Sequence, residues 1–205
     1  MNEYKLVKYF EDLISEYSGS KYAISVDSCT SALFLSLMYR GVREKELTIP
    51  KKTYISVPSS IIHAGGKVVF KNVQWKGIYE IQPVSVIDSA LRFTQNMYIP
   101  GTLYCLSFHM KKHLKIGKGG MILTDDKSAY KWLKLARYNG REGKDYMKET
   151  FKMIGWNMYM TPEEASRGIR IFKTLNRVNK DIENTYQDLS KYRFDIAKSG
   201  HKLIK

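Results

Sequence analysis

The sequence predicts an α/β fold, a three-layer α/β/α arrangement around a mostly parallel, mixed sheet. Three observations carry that expectation. Short apolar runs alternate along the chain with longer segments of helical periodicity, the pattern of stacked strand and helix layers. The first run, YAISV, passes through the small-residue turn DSCTS directly into the apolar stretch ALFLSLMYRG. Several runs also end on polar residues, and in open α/β sheets ligands sit at such strand ends. Those residues are Ser28 and Thr30 after the first run, Asp88 after VSVI and Ser107 after TLYCL.

The elements follow in order. Leu6, Phe10, Leu13, Ile14 and Tyr17 fall on one helical face that Gly19 closes. YAISV (Tyr22 to Val26) reads as a buried strand, and the helix after it ends at Gly41. ELTIP is a strand, TYISVPSSIIHAGG a helix stopped by two glycines, and KVVFKNV, VSVID, TLYCLSF and GGMILT are further short strands. DKSAYKWLKLARYNG reads as a helix ending at Gly140, with an irregular stretch REGKDYMKETFKMIGWNMYM behind it. Thr161, Pro162 and Glu164 then form a helix start: a cap, a proline in the first turn and a capping-box glutamate. Residues 1–175 are expected to form the α/β domain, and residues 176–205 a charged helical C-terminal segment.

Composition limits the rest. At 205 residues and 43% apolar, the chain can bury one substantial core. No apolar run approaches the ~20 residues of a membrane span, and the N-terminus mixes charges into its apolar pattern, unlike a secretory signal. Cys29 and Cys105 stand in unrelated contexts with no disulfide or zinc spacing, which fits a reducing cytoplasm. The net charge of +14 favours polyanionic or phosphorylated partners, nucleic acid among them. Its basic residues are nevertheless scattered, as on an ordinary lysine-rich surface.

Taken singly, the candidate site residues have ordinary readings. The amides of Thr30 and Ser31 at a helix start, with the Thr30 hydroxyl, could hold a phosphate, although Ser and Thr cap most helices. Asp88 could be a turn residue, or a buried carboxylate facing a cation such as a protonated pyridine. Tyr54 could pack in the core or offer a platform for an aromatic ring. The segment SFHMKKHLKIGKGGMILT carries four lysines and three glycines, which a solvated surface also explains. Together they supply what pyridoxal phosphate (PLP) needs: an amine, a carboxylate for the ring nitrogen, a stacking ring and phosphate donors.

At these positions the chain resembles the DegT-type PLP-dependent sugar aminotransferases of the aspartate-aminotransferase fold, in a short form lacking most of the C-terminal domain. SFHMKKHLKIGKGG is similar to the family's Ser-Phe segment with a lysine five residues after the serine and a Gly-x-Gly-Gly turn. That makes Lys112, not Lys111, the Schiff-base lysine. DSCTSAL resembles the phosphate turn, implying Thr30 and the neighbouring backbone, with Cys29 in the usual glycine position. IPKKTYIS implies that Tyr54 stacks on the ring, VIDSA that Asp88 pairs with the ring nitrogen, and Ser107 another phosphate donor. GWNMYMTPEEA resembles the segment whose asparagine, here Asn157, reaches the phosphate of the neighbouring subunit in a homodimer. Two positions depart from the pattern: Leu91 replaces Gln or His, and Tyr159 replaces Arg.

The resemblance implies an aminotransferase acting on a keto-sugar, nucleotide-linked, with Lys112 and Asp88 as catalytic residues. Two alternatives stay open. One is a PLP enzyme modifying an amino group attached to nucleic acid, for example by decarboxylation, and the other a non-catalytic truncated paralogue.

Overall fold

The computed structural model describes residues 4–194. Helix α1 (Tyr4–Ser18) turns Val7, Phe10, Ile14 and Tyr17 inward. Leu6, expected on that face, is 45% exposed, because Val7 rather than Leu6 keeps the stripe in line with Phe10 and Ile14. Strand β1 (Tyr22–Val26) leads into α2 (Cys29–Tyr39), and β2 (Glu46–Pro50) into α3 (Ser56–His63). Then come β3 (Lys67–Lys71), β4 (Tyr79–Ile81), β5 (Val86–Asp88), β6 (Leu103–Ser107) and β7 (Gly120–Thr124). Helices α4 (Lys127–Ala136) and α5 (Pro162–Phe172) complete the described elements, with short 3-10 turns at Tyr146–Lys148 and Leu189–Lys191.

The main sheet has five strands in the order β1-β7-β6-β5-β4, and β2 and β3 form a separate parallel pair. The α/β layering is as expected, but the sheet is more antiparallel than the sequence suggested. Three of its four pairings are antiparallel, and only β5 with β6 is parallel. The reason lies in the connections. The segment from Ser107 to Gly120 contains no helix, so it cannot make a parallel crossover and returns β7 antiparallel to β6. Strand β4, unforeseen, adds an antiparallel edge; its three residues alternate buried-exposed-buried, a run too short to mark a strand in sequence.

Alternation along the central strands builds a core on each face. Leu103 and Cys105 of β6, with Ile122 of β7, pack with Leu33, Leu37 and Leu133 of α2 and α4. Tyr104 and Leu106, with Met121 and Leu123, pack instead with Phe10, Ile14, Ala165 and Ile169 of α1 and α5. Both sheet faces are therefore covered, which makes the three layers. Each buried Leu- or Ile-sized side chain contributes about 1.5–3 kcal/mol. Among the described residues, no helix is long and apolar enough to cross a membrane.

The C-terminal segment differs from the expectation. Among described residues 176–194 there is no α-helix, only the 3-10 turn. Val178, Ile182, Tyr186 and Leu189 do fall at helical spacing, but the segment's contacts with the domain, not that local period, decide its shape. Its backbone bonds to the body of the domain: the Ile182 amide donates to the Leu91 carbonyl at 2.9 Å, and the Leu189 amide to the Lys51 carbonyl at 2.8 Å. Residues 195–205 of the expected helical segment lie outside the described residues.

Candidate active site

The carboxyl end of β1 and the start of α2 make the first wall of the site. Ser28 caps α2, and its hydroxyl accepts from the Ser31 amide at 3.1 Å. The first-turn amides of Cys29 and Thr30 have no intrahelical acceptor, and the helix dipole adds partial positive charge at the same place. This turn sits hard against β7. A Cβ at Gly120 would collide with the Ser28 carbonyl group and the Cys29 nitrogen, so glycine is required for the approach.

Thr30, Tyr54, Asp88, Ser107 and Lys112 all line one cavity of about 420 Å³ at these strand ends. That volume suits a small cofactor. Ser31 and Asn157 lie outside that lining. The Ser31 side chain is buried and turns back to donate to the Asp27 carboxylate, so its hydroxyl is spent on the turn itself. Asn157 is exposed, and its backbone bridges to Tyr138 in a strand-like stretch whose Met158 carbonyl accepts from the Asp27 amide at 3.0 Å.

Lys112 and Lys111 both line the cavity and differ in burial. The turn after β6, closed by the Lys112 amide donating to the His109 carbonyl at 2.9 Å, leaves Lys111 exposed and draws Lys112 half-buried into the cavity. Burial lowers the Lys112 amine from the ordinary lysine range, while the Asp88 charge and Cys29 pull it back up. Asp88 is 4% exposed at the end of β5. Its carboxylate accepts from the Tyr79 hydroxyl at 2.8 Å and from the Ala90 amide at 2.9 Å. Burial pushes the Asp88 carboxyl above the usual range, against the lowering pull of these two donors and of Lys112. Tyr79 is itself held well above the ordinary phenol range by burial and then by the Asp88 charge, so it remains a donor.

The structure adds residues the sequence reading missed. Lys118 and four residues of the C-terminal segment, Tyr186 among them, join the cavity lining beside Ser28 and Cys29 of the expected turn. Tyr79, on the unforeseen strand β4, carries the hydrogen bond to Asp88. Nothing local in the sequence marks Tyr79 or Tyr186; each joins the site only through tertiary folding. Tyr54 is at the cavity rim, 54% exposed, with its ring centroid 5.8 Å from that of Tyr186. Cys29 and Cys105 are free thiols, and among the described residues no cluster of His, Cys, Asp or Glu could hold a metal ion.

The donor set fits PLP. A half-buried amine, a buried carboxylate that pairs with no cation among the described residues, and a helix start face a single cavity. Leu91 is 3% exposed and offers no polar side-chain atom.

Comparison with known proteins agrees with this geometry. The chain is 25% identical over 229 residues to a UDP-4-amino-4,6-dideoxy-N-acetyl-beta-L-altrosamine transaminase of Campylobacter jejuni, covering 89% of this chain and 61% of that protein. The structure matches Helicobacter pylori PseC, an aminotransferase involved in the biosynthesis of pseudoaminic acid, with a TM-score of 0.68 at 19% identity over 85% of this chain and 63% of PseC. It also matches Spr1654 of Streptococcus pneumoniae in its PLP-form, with a TM-score of 0.68 at 19% identity over 83% of this chain and 59% of the other. The chain thus spans about 60% of the length of the curated relatives it matches. The model of the DegT/DnrJ/EryC1/StrS aminotransferase family matches residues 1–92 and 99–197, nearly the whole sequence, and the chain belongs to that family.

Proposed function

We propose that this chain carries the PLP site of an aminotransferase that moves an amino group to or from a keto-sugar, nucleotide-linked. The observation behind this reading is the convergence of Lys112, Asp88 and the start of α2 on one cavity, in which Lys112 is half-buried against Tyr186 while Lys111, also in the lining, stays exposed. The names of the relatives, a UDP-aminosugar transaminase and an aminotransferase of sugar biosynthesis, support the substrate class.

PLP, when bound, supplies an aldehyde for an amine and a cationic ring that draws electrons from the reacting carbon. The chain's residues have the following parts. Lys112, its amine eased toward the neutral form by burial, is the nucleophile and afterwards the base that carries a proton at Nζ. Asp88 holds a proton on the ring nitrogen, and Tyr79 and Ala90 orient its carboxylate for this. The amides at the start of α2, with the Thr30 and Ser107 hydroxyls, hold the phosphate. Tyr54 covers the ring, and Asn157 serves the partner's site in a homodimer. Two free cysteines fit a cytoplasmic setting.

The test is spectroscopic. Protein incubated with PLP should turn yellow, Lys112→Ala should not, and Lys111→Ala should behave as the original chain. The visible band should then respond to an amino acid donor and to nucleotide-linked keto-sugars. A protein that stays colourless with PLP overturns the reading. A band that responds only to nucleic acid moves it to the decarboxylation alternative that the +14 charge favours.

A further inference from the structure

Residues 177–189 cross the mouth of the cavity as a strap tied down at both ends. On one side the Arg177 carbonyl accepts from the Gln95 amide at 2.9 Å, and the Asn179 side-chain amide donates to the Phe93 carbonyl at 2.9 Å. Asp181 accepts a fork from Arg92, Nε at 2.9 Å and Nη2 at 2.7 Å, the bidentate geometry that makes such pairs strong. The Asp181 carboxylate occupies the space a Cβ at Gly77 would need, so the backbone there is shaped to receive it. On the other side Asp188 pairs with Lys51 at 2.9 Å beside the Leu189–Lys51 backbone bond.

Between these anchors Tyr186 turns into the cavity. Its ring lies 6.3 Å from Trp75, nearly parallel at 22°, and its hydroxyl accepts from Lys112 Nζ at 3.1 Å. Burial, followed by the Asp88 charge, pushes the Tyr186 phenol up, so it stays neutral and keeps its acceptor lone pairs. Leu91 supplies only its carbonyl, to the strap. The polar atom on Lys112 therefore comes from a residue 74 positions further along.

We propose that Tyr186 is a positioning residue of this site: it holds the Lys112 amine, and the strap that carries it roofs the cavity and governs access to that amine. The proposal deepens the function proposed above, in which Lys112 is the reacting group.

Trace acetylation with acetic anhydride tests this without any cofactor. The reagent transfers its acetyl group to a neutral amine with acetate leaving, and peptide mass spectrometry over a pH series gives each lysine a midpoint and a plateau rate. Lys112 faces Asp88 of β5, Cys29 of α2, its neighbour Lys111 and Tyr186 of the strap; His109, Lys118 and Glu183 also line the cavity. All but Tyr186 are kept constant, and Lys67, exposed and away from the cavity, is the internal reference. Tyr186→Phe removes an acceptor from the ammonium form, so the Lys112 midpoint should fall by roughly half to one pH unit while Lys67 does not move. Tyr186→Ala opens the roof and should raise the Lys112 plateau rate about five- to tenfold. Asp188→Asn, which frees one anchor, should raise that rate in the same direction, and it carries the test if Tyr186→Ala does not fold. The proposal is overturned if, in folded variants, the Lys112 midpoint stays within about 0.2 unit of the original and its rate is unchanged. If the acetylation shifts occur in a protein that takes up no PLP, the Tyr186 contact stands and the function proposed above fails.

Discussion

At Asp88 two hydrogen-bond donors meet a carboxylate that burial pushes toward its neutral form, with no ion pair to a cation among the described residues. A protonated ring nitrogen would reverse that push, since opposite charge favours the ionised carboxylate. Asp88→Asn is therefore expected to lose turnover by about two orders of magnitude or more. It should not lose stability without cofactor, because the neutral amide removes the cost of a buried charge. A melting temperature equal to the original or a few degrees higher is expected in calorimetry; a large drop would mean Asp88 is structural. The sign for pH follows from the same shift. Because the Asp88 carboxyl titrates above its ordinary range, its charge is lost on acidification sooner than that of an exposed aspartate. PLP retention measured by dialysis should thus fail on the acid side at a higher pH for the original chain than for a variant in which Asp88 is relieved of burial. Tyr79→Phe removes a donor to the ionised form and should move this acid limit upward.

Among the elements, α1, β1 and the end of α4 are joined at one buried point. Glu11 is 2% exposed and accepts from the Ser25 amide and hydroxyl, each at 2.9 Å, while Arg137 forks onto Glu11 and the Ser25 carbonyl. Glu11→Ala leaves Arg137, 9% exposed, without its counter-charge and the Ser25 amide without its acceptor. A loss of about 3–5 kcal/mol in urea unfolding is expected. A loss under about 1 kcal/mol would show that water replaces the carboxylate. The contact of β7 with α2 makes a different prediction. Gly120→Ala would drive the start of α2 away from the strand, so PLP affinity should fall with the helix otherwise intact by circular dichroism.

For the molecule as a whole, Asn157, like Ser31, is a candidate site residue outside the lining of this chain's own cavity. It is exposed, yet its neighbours are fixed by the backbone bonds of Trp156 to Ala136 and Met158 to Arg137. That suits a side chain presented to a partner across a two-fold axis, where each subunit lends one and receives one. Mixing Lys112→Ala with Asn157→Asp chains should restore activity. Random exchange makes half the dimers mixed, each with one intact site, so about a quarter of the original activity is the expected ceiling. Demonstrated exchange with no recovery would remove Asn157 from the partner's site.

What the sequence determined by itself is local. Among the described residues the apolar periods placed the five α-helices and six of the seven strands, and the Thr161-Pro162-Glu164 start appears as a full capping box. The turn chemistry marked the start of α2, and the motif spacing singled out Lys112, which the turn closed on the His109 carbonyl leaves half-buried where Lys111 is exposed. The tertiary structure decided the rest. The return of β7 between β1 and β6, the Tyr79 bond to Asp88 and the strap bringing Tyr186 to Lys112 join segments with no local signature. Periodicity reports which face of an element is buried, but not what covers it. The partner is set by how the chain closes on itself, and an irregular segment such as 177–189 gets its shape almost wholly from the surface that receives it.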